Sequence, residues 1–478
     1  MKLKYILSGI AIVAITQNSF AQYSQDAIRF SQTVNGSTAR VKAVGNAGTA
    51  LGGDLSNVSG NPAGLGFFTR SEISITPEFG GAKTQATYLG QSTTADRNKF
   101  NLNNAAVVIY NQLTKPRGAD KTKGWLSVNY GVAFNRTNNF HSNTAYGGNN
   151  NANSINDYYS DQAKQYGTTN GGLPQWAFEQ FLINQQSNSN AAPGTQQAAI
   201  INRTGGQSAV DFSFGANYSN KLYVGLGLSF TDLRYNSSSA FYEDGNLVSP
   251  NTSYSSDFIQ NQATRGTGFN AKLGVIYKPV ESVRLGATFT SPTWYNIDDV
   301  YSEGIVTRLG NGNNYSDGSE NYQLNYNMRT PLKLAGGASV FIKSFGFITG
   351  DVEYVDYSSA RLSSNDSYNA DQIDNPDIKS LYKSAINAHI GAEARVTSFF
   401  LLRGGYGIQG DARKDNGSDI KTVSGGVGLR FGAYYVDATY AHSSGNQNIF
   451  PYDIGNNSPL AMLKNTANNG YLTLGYRF

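Results

Sequence analysis

Few residues in this chain could do covalent chemistry. It has 478 residues with no cysteine and three histidines, which removes thiol nucleophiles, thiolate metal sites and disulfides together. His442 precedes Ser443 and Ser444, but neighbours on a strand point to opposite faces, and no acidic partner stands at a matching spacing. His141 and His389 read as structural. Asp298-Asp299 and the stretch Asn313 to Asp317 offer oxygen ligands of the kind that solvated loop acids supply. The expectation is a protein that is no enzyme and carries no cofactor or metal. What remains is apolar capture. In Leu173 to Ile183, helical spacing puts Phe178, Phe181 and Leu182 on one face, with Trp176 and Ile183 flanking it. With Phe241, Tyr242 and Phe258 further on, this reads either as a lid or as one wall of a groove for a hydrophobic ligand.

The composition shows what kind of frame must position such a surface. Hydrophobic residues are 39%, charged residues 15% and aromatics 12%, with 53 Gly. That mixture suits alternating strands better than helices. A net charge of +4 gives no sign of a nucleic-acid partner. Lys2 and Lys4, the apolar run Ile6 to Ile15 and Ser19-Phe20-Ala21 predict an export signal over 1–21. The apolar run is about half the ~20 residues that a spanning helix needs.

Alternation is clear at the C-terminus, where Leu472, Leu474, Tyr476 and Phe478 fall on one face and Tyr471, Thr473, Gly475 and Arg477 on the other. A strand with one face in lipid and one in a polar lumen must look like this. Fourteen such segments can be read, from 71–90 to 470–478. The connections after even-numbered strands are short, as at 219–220 or 344. Those after odd-numbered strands are long, at 138–205, 237–265, 362–382 and 446–469. The fold predicted is an all-β, antiparallel fourteen-stranded transmembrane barrel over 71–478. Its short turns would be periplasmic and its long loops, chiefly 138–205 and 237–265, extracellular. Lumen-parity charges such as Lys272, Lys333, Asp351, Glu393 and Arg403 are expected to pair with one another or to greet an anionic head group.

Residues 22–70 do not alternate and are crowded with Gly and Ala. A piece this poor in large apolar side chains buries no core of its own, yet glycine lets it lie close against a wall. Asn61-Pro62 marks a turn, and Asp54 is placed to cap or to pair. From composition, a free tail and a plug of the lumen both remain open.

The stretch Thr38 to Asp54 followed by Asn61-Pro-Ala-Gly-Leu65 resembles the N-terminal hatch of the FadL/OmpP1/TodX family of outer-membrane hydrophobic-compound transporters, in its Bacteroidetes-type form. Pro331 to Ala338, Gly350 to Tyr357 and Leu402 to Tyr406 are similar to that family's later strands. The resemblance implies a barrel of fourteen strands plugged by 22–70 in the outer membrane of a Gram-negative cell. It also implies passive uptake of long-chain fatty acids or aromatic hydrocarbons, caught among the outer loops and released sideways into the membrane. Asn61, Pro62 and Ala63 would hold the hatch to the wall, and Asn129 and Gly131 would lie at the lateral opening. Implied partners are hydrophobic small molecules, outer-membrane lipid and lipopolysaccharide, for a monomeric barrel. A general porin or an adhesive barrel is the alternative, and it would lack a filled lumen.

Overall fold

The computed structural model describes residues 20–118, 120–319, 321–364 and 369–478. All but the last two positions of the expected export signal lie outside them. Strands form where small, β-branched and aromatic residues alternate, and they close into one antiparallel barrel of fourteen. The strands are β1 (Glu72–Tyr88), β2 (Gln91–Ile109), β3 (Trp125–Asn139, continued as Ser142–Asn150), β4 (Thr195–Tyr218), β5 (Leu222–Leu247), β6 (Thr252–Val280) and β7 (Val283–Thr290, continued as Trp294–Leu309). They go on as β8 (Asn314–Gly318, Tyr322–Arg329 and Lys333–Ile342), β9 (Gly346–Asp356 and Arg361–Ser363), β10 (Ser384–Arg395), β11 (Phe400–Gln409), β12 (Ile420–Phe431), β13 (Tyr434–Ile449) and β14 (Ala461–Arg477). The interruption in β7 and the second of the two in β8 fall at Pro292 and Pro331, each of which removes a ladder donor. Closure is made by β1 on β14, from Glu72–Arg477 to Tyr88–Ala461.

Outward positions carry an apolar band that includes Phe212, Phe214, Leu226, Leu228, Leu273 and Val275, all exposed. Aromatic pairs border it, with Trp125–Tyr218 and Tyr434–Tyr476 at the short-turn rim and Phe269 stacked on Trp294 at the opposite edge. This is the side-chain layout of a barrel wall in lipid.

Two loop expectations are corrected. Residues 237–265 are almost all ladder, since β5 runs to Leu247 and β6 begins at Thr252. Beyond the bilayer the outer face has no need to be apolar, so outward Asn236 and Ser238 broke the hydrophobic alternation while inward Tyr235, Phe241, Tyr254 and Phe258 stayed buried. The span 138–205 likewise holds the continuation of β3 and the start of β4, which leaves 151–194 as the connection. That connection carries helices Ile155–Tyr166 and Leu173–Glu179.

Residues before β1 form α1 (Phe20–Ser31), α2 (Ala39–Ala43) and two single turns, Leu55–Val58 and Pro62–Phe67. Their hydrogen bonds reach strands all round the ring, which places the segment inside it. Ala39 N donates to Thr473 Oγ1 at 2.7 Å, Thr49 N to Asp351 at 3.0 Å, Lys272 Nζ to Ser59 O at 2.6 Å and Ser213 Oγ to Val58 O at 2.7 Å. α1 lies at the long-loop end, where Tyr23, Ala27, Ile28 and Phe30 join a buried core with Tyr235, Tyr326 and Tyr357 of the wall.

Candidate functional site

Small residues at inward positions are what let the leading segment fit. A Cβ on Gly225 would stand 2.3 Å from the backbone of Pro62 and Ala63, and one on Gly274 would stand 1.9 Å from Asn61 Oδ1. Into that space Asn61 sends its side-chain amide, which donates to Thr49 O at 2.7 Å, while its Oδ1 accepts from Ala63 N at 3.1 Å. Pro62 and Ala63 open the turn that lies on β4, β5 and β6. Asp54 caps the preceding turn by accepting from Ser56 N at 3.0 Å, and it accepts from Thr38 Oγ1 at 2.8 Å. All four residues act within this one arrangement. Farther round, Arg40 binds Glu393 at 2.9 Å, and Glu393 also binds Arg403 at 2.7 Å. Lumen charges are thus mostly paired with each other or with the leading segment.

Asn129 and Gly131 stand elsewhere than at an opening. Asn129 is buried and donates to Leu65 O at 2.6 Å, and Gly131 faces Val58 and Leu65 while pairing in register with Val108. They hold the leading segment where β2 and β3 are zipped. The strands part above them. Their ladder runs only from Asn104–Asn135 to Ile109–Tyr130, and from Asn103 back to Gln91 β2 has no ladder on that side. Residues Thr33 to Ser37 fill the parting. Val34 N donates to Thr137 O at 2.9 Å, Asn103 Nδ2 donates to Ser37 O, and Asn138 Nδ2 donates to Gln32 O at 2.9 Å. A Cβ on Gly36 would lie 2.4 Å from Asn103 O and Asn135 Oδ1. Lys333 Nζ clasps the same strap from the far wall through Thr33 O at 3.0 Å and Thr33 Oγ1 at 2.8 Å. Both polar atoms of the Asn135 side chain are buried without a protein partner, a cost borne by the wall at the parting.

The strap borders a cavity of about 180 Å³ inside the barrel, lined by Thr33, Val34, Asn35, Thr137, Lys272 and Lys333 among others. On the outer wall, below the parting and over the zipped ladder, is an apolar dent lined by Ile73, Ile75, Ala105, Val107, Val132, Phe134 and Leu474. Little along the chain warned of the strap. Gly36 is a single small residue among polar ones, and the signal that could have found it is the run of lumen-facing asparagines at 103, 135 and 138.

The residues expected to build an apolar groove do come together, but as a packed cap. Leu182, Phe241 and Phe258 are buried in one cluster with Tyr159 and Ile183, and Trp176 and Phe178 pack against it. Phe181 departs from the expectation. The helix stops at Glu179, Phe181 takes a left-handed backbone with φ 66°, and its ring is exposed beside Tyr315. The cap is anchored by Glu243, which accepts from Ser154 Oγ, Ile155 N, Gln197 Nε2 at 2.6 Å and Tyr254 Oη at 2.7 Å. Burial holds its carboxyl above the usual carboxylate range, and the donors oppose that rise. Glu243→Gln turns an amide N–H toward these donors and is expected to cost about 1–3 kcal/mol. Faster proteolytic cutting within 151–194, with the barrel intact, is the result that checks it.

Neither a family model nor a curated protein matches the sequence. Solved structures do. The toluene transporter TodX of P. putida matches with a TM-score of 0.56 at 12% identity over 93% of this chain and 99% of that one. A Pseudomonas aeruginosa FadL homologue gives 0.55 at 12% identity over 92% and 98%. The Ralstonia pickettii toluene transporter TbuX gives 0.50 at 15% identity over 93% and 98%. From its leading segment to its last strand, the chain has the fold of these transporter barrels.

Proposed function

We propose that the protein is an outer-membrane channel for passive uptake of hydrophobic small molecules, in the class of long-chain fatty acids or aromatic hydrocarbons. The carrying observation is the parting of β2 from β3, closed by a short strap that lines an internal cavity, with an apolar dent on the outer wall just below it. Cargo taken in at the long-loop rim, which faces the cell exterior, leaves through this parting once Thr33 to Ser37 swing aside. It then enters lipid without crossing the periplasm. Each methylene kept out of water is worth about 0.8 kcal/mol, so no energy source is needed for movement down a gradient. The solved barrels of like fold that transport toluene support this reading, and so does the orphaned Asn135 amide at the parting. A filled lumen weighs against a general porin.

The absence of native cysteine gives a clean test. In a Val34→Cys, Thr137→Cys double variant, oxidation is expected to stop uptake of labelled oleate or toluene by cells, and reduction to restore it. Equal uptake before and after a verified cross-link would remove the strap from the route. Equal uptake by cells lacking the gene would remove the function.

A further inference from the structure

One row of outward side chains at the upper edge of the apolar band has no role in uptake. Read by strand register, Phe230 is opposite Phe269, Phe269 opposite Trp294, Trp294 opposite Arg329, and Arg329 opposite Arg361. Three aromatic rings are therefore followed, along one row of the ladder that climbs with the strand tilt, by two arginines on adjacent strands. Like charges directly opposite one another repel. Among the described residues, neither arginine has a carboxylate within 4.0 Å. Arg361 is held in place by its own Nη1, which donates to Ser358 O at 2.8 Å and Ala360 O at 2.7 Å, so the rest of its guanidinium is presented outward. The wall is concave here and forms a groove of about 980 Å³ that includes all five residues. Two acids also line it. Asp232 is taken by Arg234 at 3.2 Å, and Asp371 accepts from Asn375 at 2.7 Å.

We infer that this groove binds a phosphorylated, multiply acylated glycolipid of the outer leaflet, with a phosphate across Arg329 and Arg361 and acyl chains along Phe230, Phe269 and Trp294. A dianionic phosphate has enough acceptor oxygens to bridge two guanidinium groups and cancel their repulsion. The aromatic shelf spans three strands at roughly 4.8 Å spacing, wide enough for more than one chain side by side. Its height, at the aromatic border of the band, is where lipid head groups lie. The inference rests on the outer-membrane placement proposed above.

The test uses the full-length barrel in detergent, titrated with bis-phosphorylated lipid A, dephosphorylated lipid A, oleate and inorganic phosphate, with bound lipid read by native mass spectrometry. Bis-phosphorylated lipid A is expected to bind at least tenfold more tightly than the dephosphorylated form. Arg329→Gln with Arg361→Gln is expected to abolish that difference. Trp294→Ala should weaken both lipids, and both variants should keep the heat-shifted gel mobility of a folded barrel. Equal binding of the two lipid A forms, competition by oleate or free phosphate at equal concentration, or unchanged binding by the double variant overturns the site. Uptake of labelled oleate by the double variant should match the parent, so loss of this site and loss of the transport function are read separately.

Discussion

Gly405→Val is expected to turn a poorly conducting barrel into a steady ion channel in planar bilayers, while Gly404→Val leaves it as silent as the parent. The two glycines are neighbours on β11 and differ only in the face they occupy. A Cβ at 405 would sit 2.0 Å from Gly45 N and 2.3 Å from Val44 C, which are backbone atoms that cannot turn away. At 404 nothing lies within 4 Å. Branching at 405 therefore has to push the leading segment off the wall, and Gly225→Val should do the same against the backbone of Pro62 and Ala63 at 2.3 Å. Overpacking typically costs about 1–3 kcal/mol. β11 is laddered to β10 and β12 on its two sides, whereas the segment is held by scattered side-chain bonds, so the segment should yield first. Equal, low conductance from folded Gly405→Val and Gly225→Val barrels would show that the segment does not limit flow.

The second large effect concerns charge. Arg403 is fully buried between Glu393 and Asp437, at 2.7 Å from each, and Asp437 also meets Arg430 at 2.9 Å. Arg403→Met would leave two buried carboxylates facing each other with only their outer partners, Arg40 and Arg430. Breaking a buried pair by removing one member costs about 3–5 kcal/mol, because the remaining charge is stranded. Arg430→Met removes a partly exposed cation from the end of the same chain and should cost about 1 kcal/mol or less. The measurement is the temperature at which the folded band shifts on an unheated gel. A drop for Arg430→Met as large as that for Arg403→Met would contradict this ordering.

How much of this was legible depended on what the environment demands of each residue. Lipid imposes an apolar outer face, so Leu226, Leu228 and Phe230 announced β5, and the count of fourteen could be made from such runs. Beyond the bilayer that demand lapses, and the hairpin over 237–265 passed for a loop although its inward tyrosines and phenylalanines still alternate. Asn61-Pro62 was readable because a capping amide followed by proline is a local device. The parting of β2 from β3 was not, because side-chain parity tells which way a residue points and says nothing about whether its backbone has found a neighbour. Gln91 to Asn103 looks the same zipped or open. Phe181 was misplaced for a similar reason: helical spacing continues through it, and only its left-handed backbone, which no sequence pattern requires of a phenylalanine, takes it out of the cluster.

The course of the leading segment also constrains biogenesis. It starts beside α1 at one mouth of the ring, crosses the interior and emerges at the other mouth to become β1, whose free edge is sealed by β14. The segment's hold is spread over strands from Ser213 of β4 to Thr473 of β14, so it is complete only once the β1–β14 seam is fastened. The last strand made is the one that completes the enclosure, so a chain shortened before β14 loses the wall and, with it, the grip on what the wall was meant to contain.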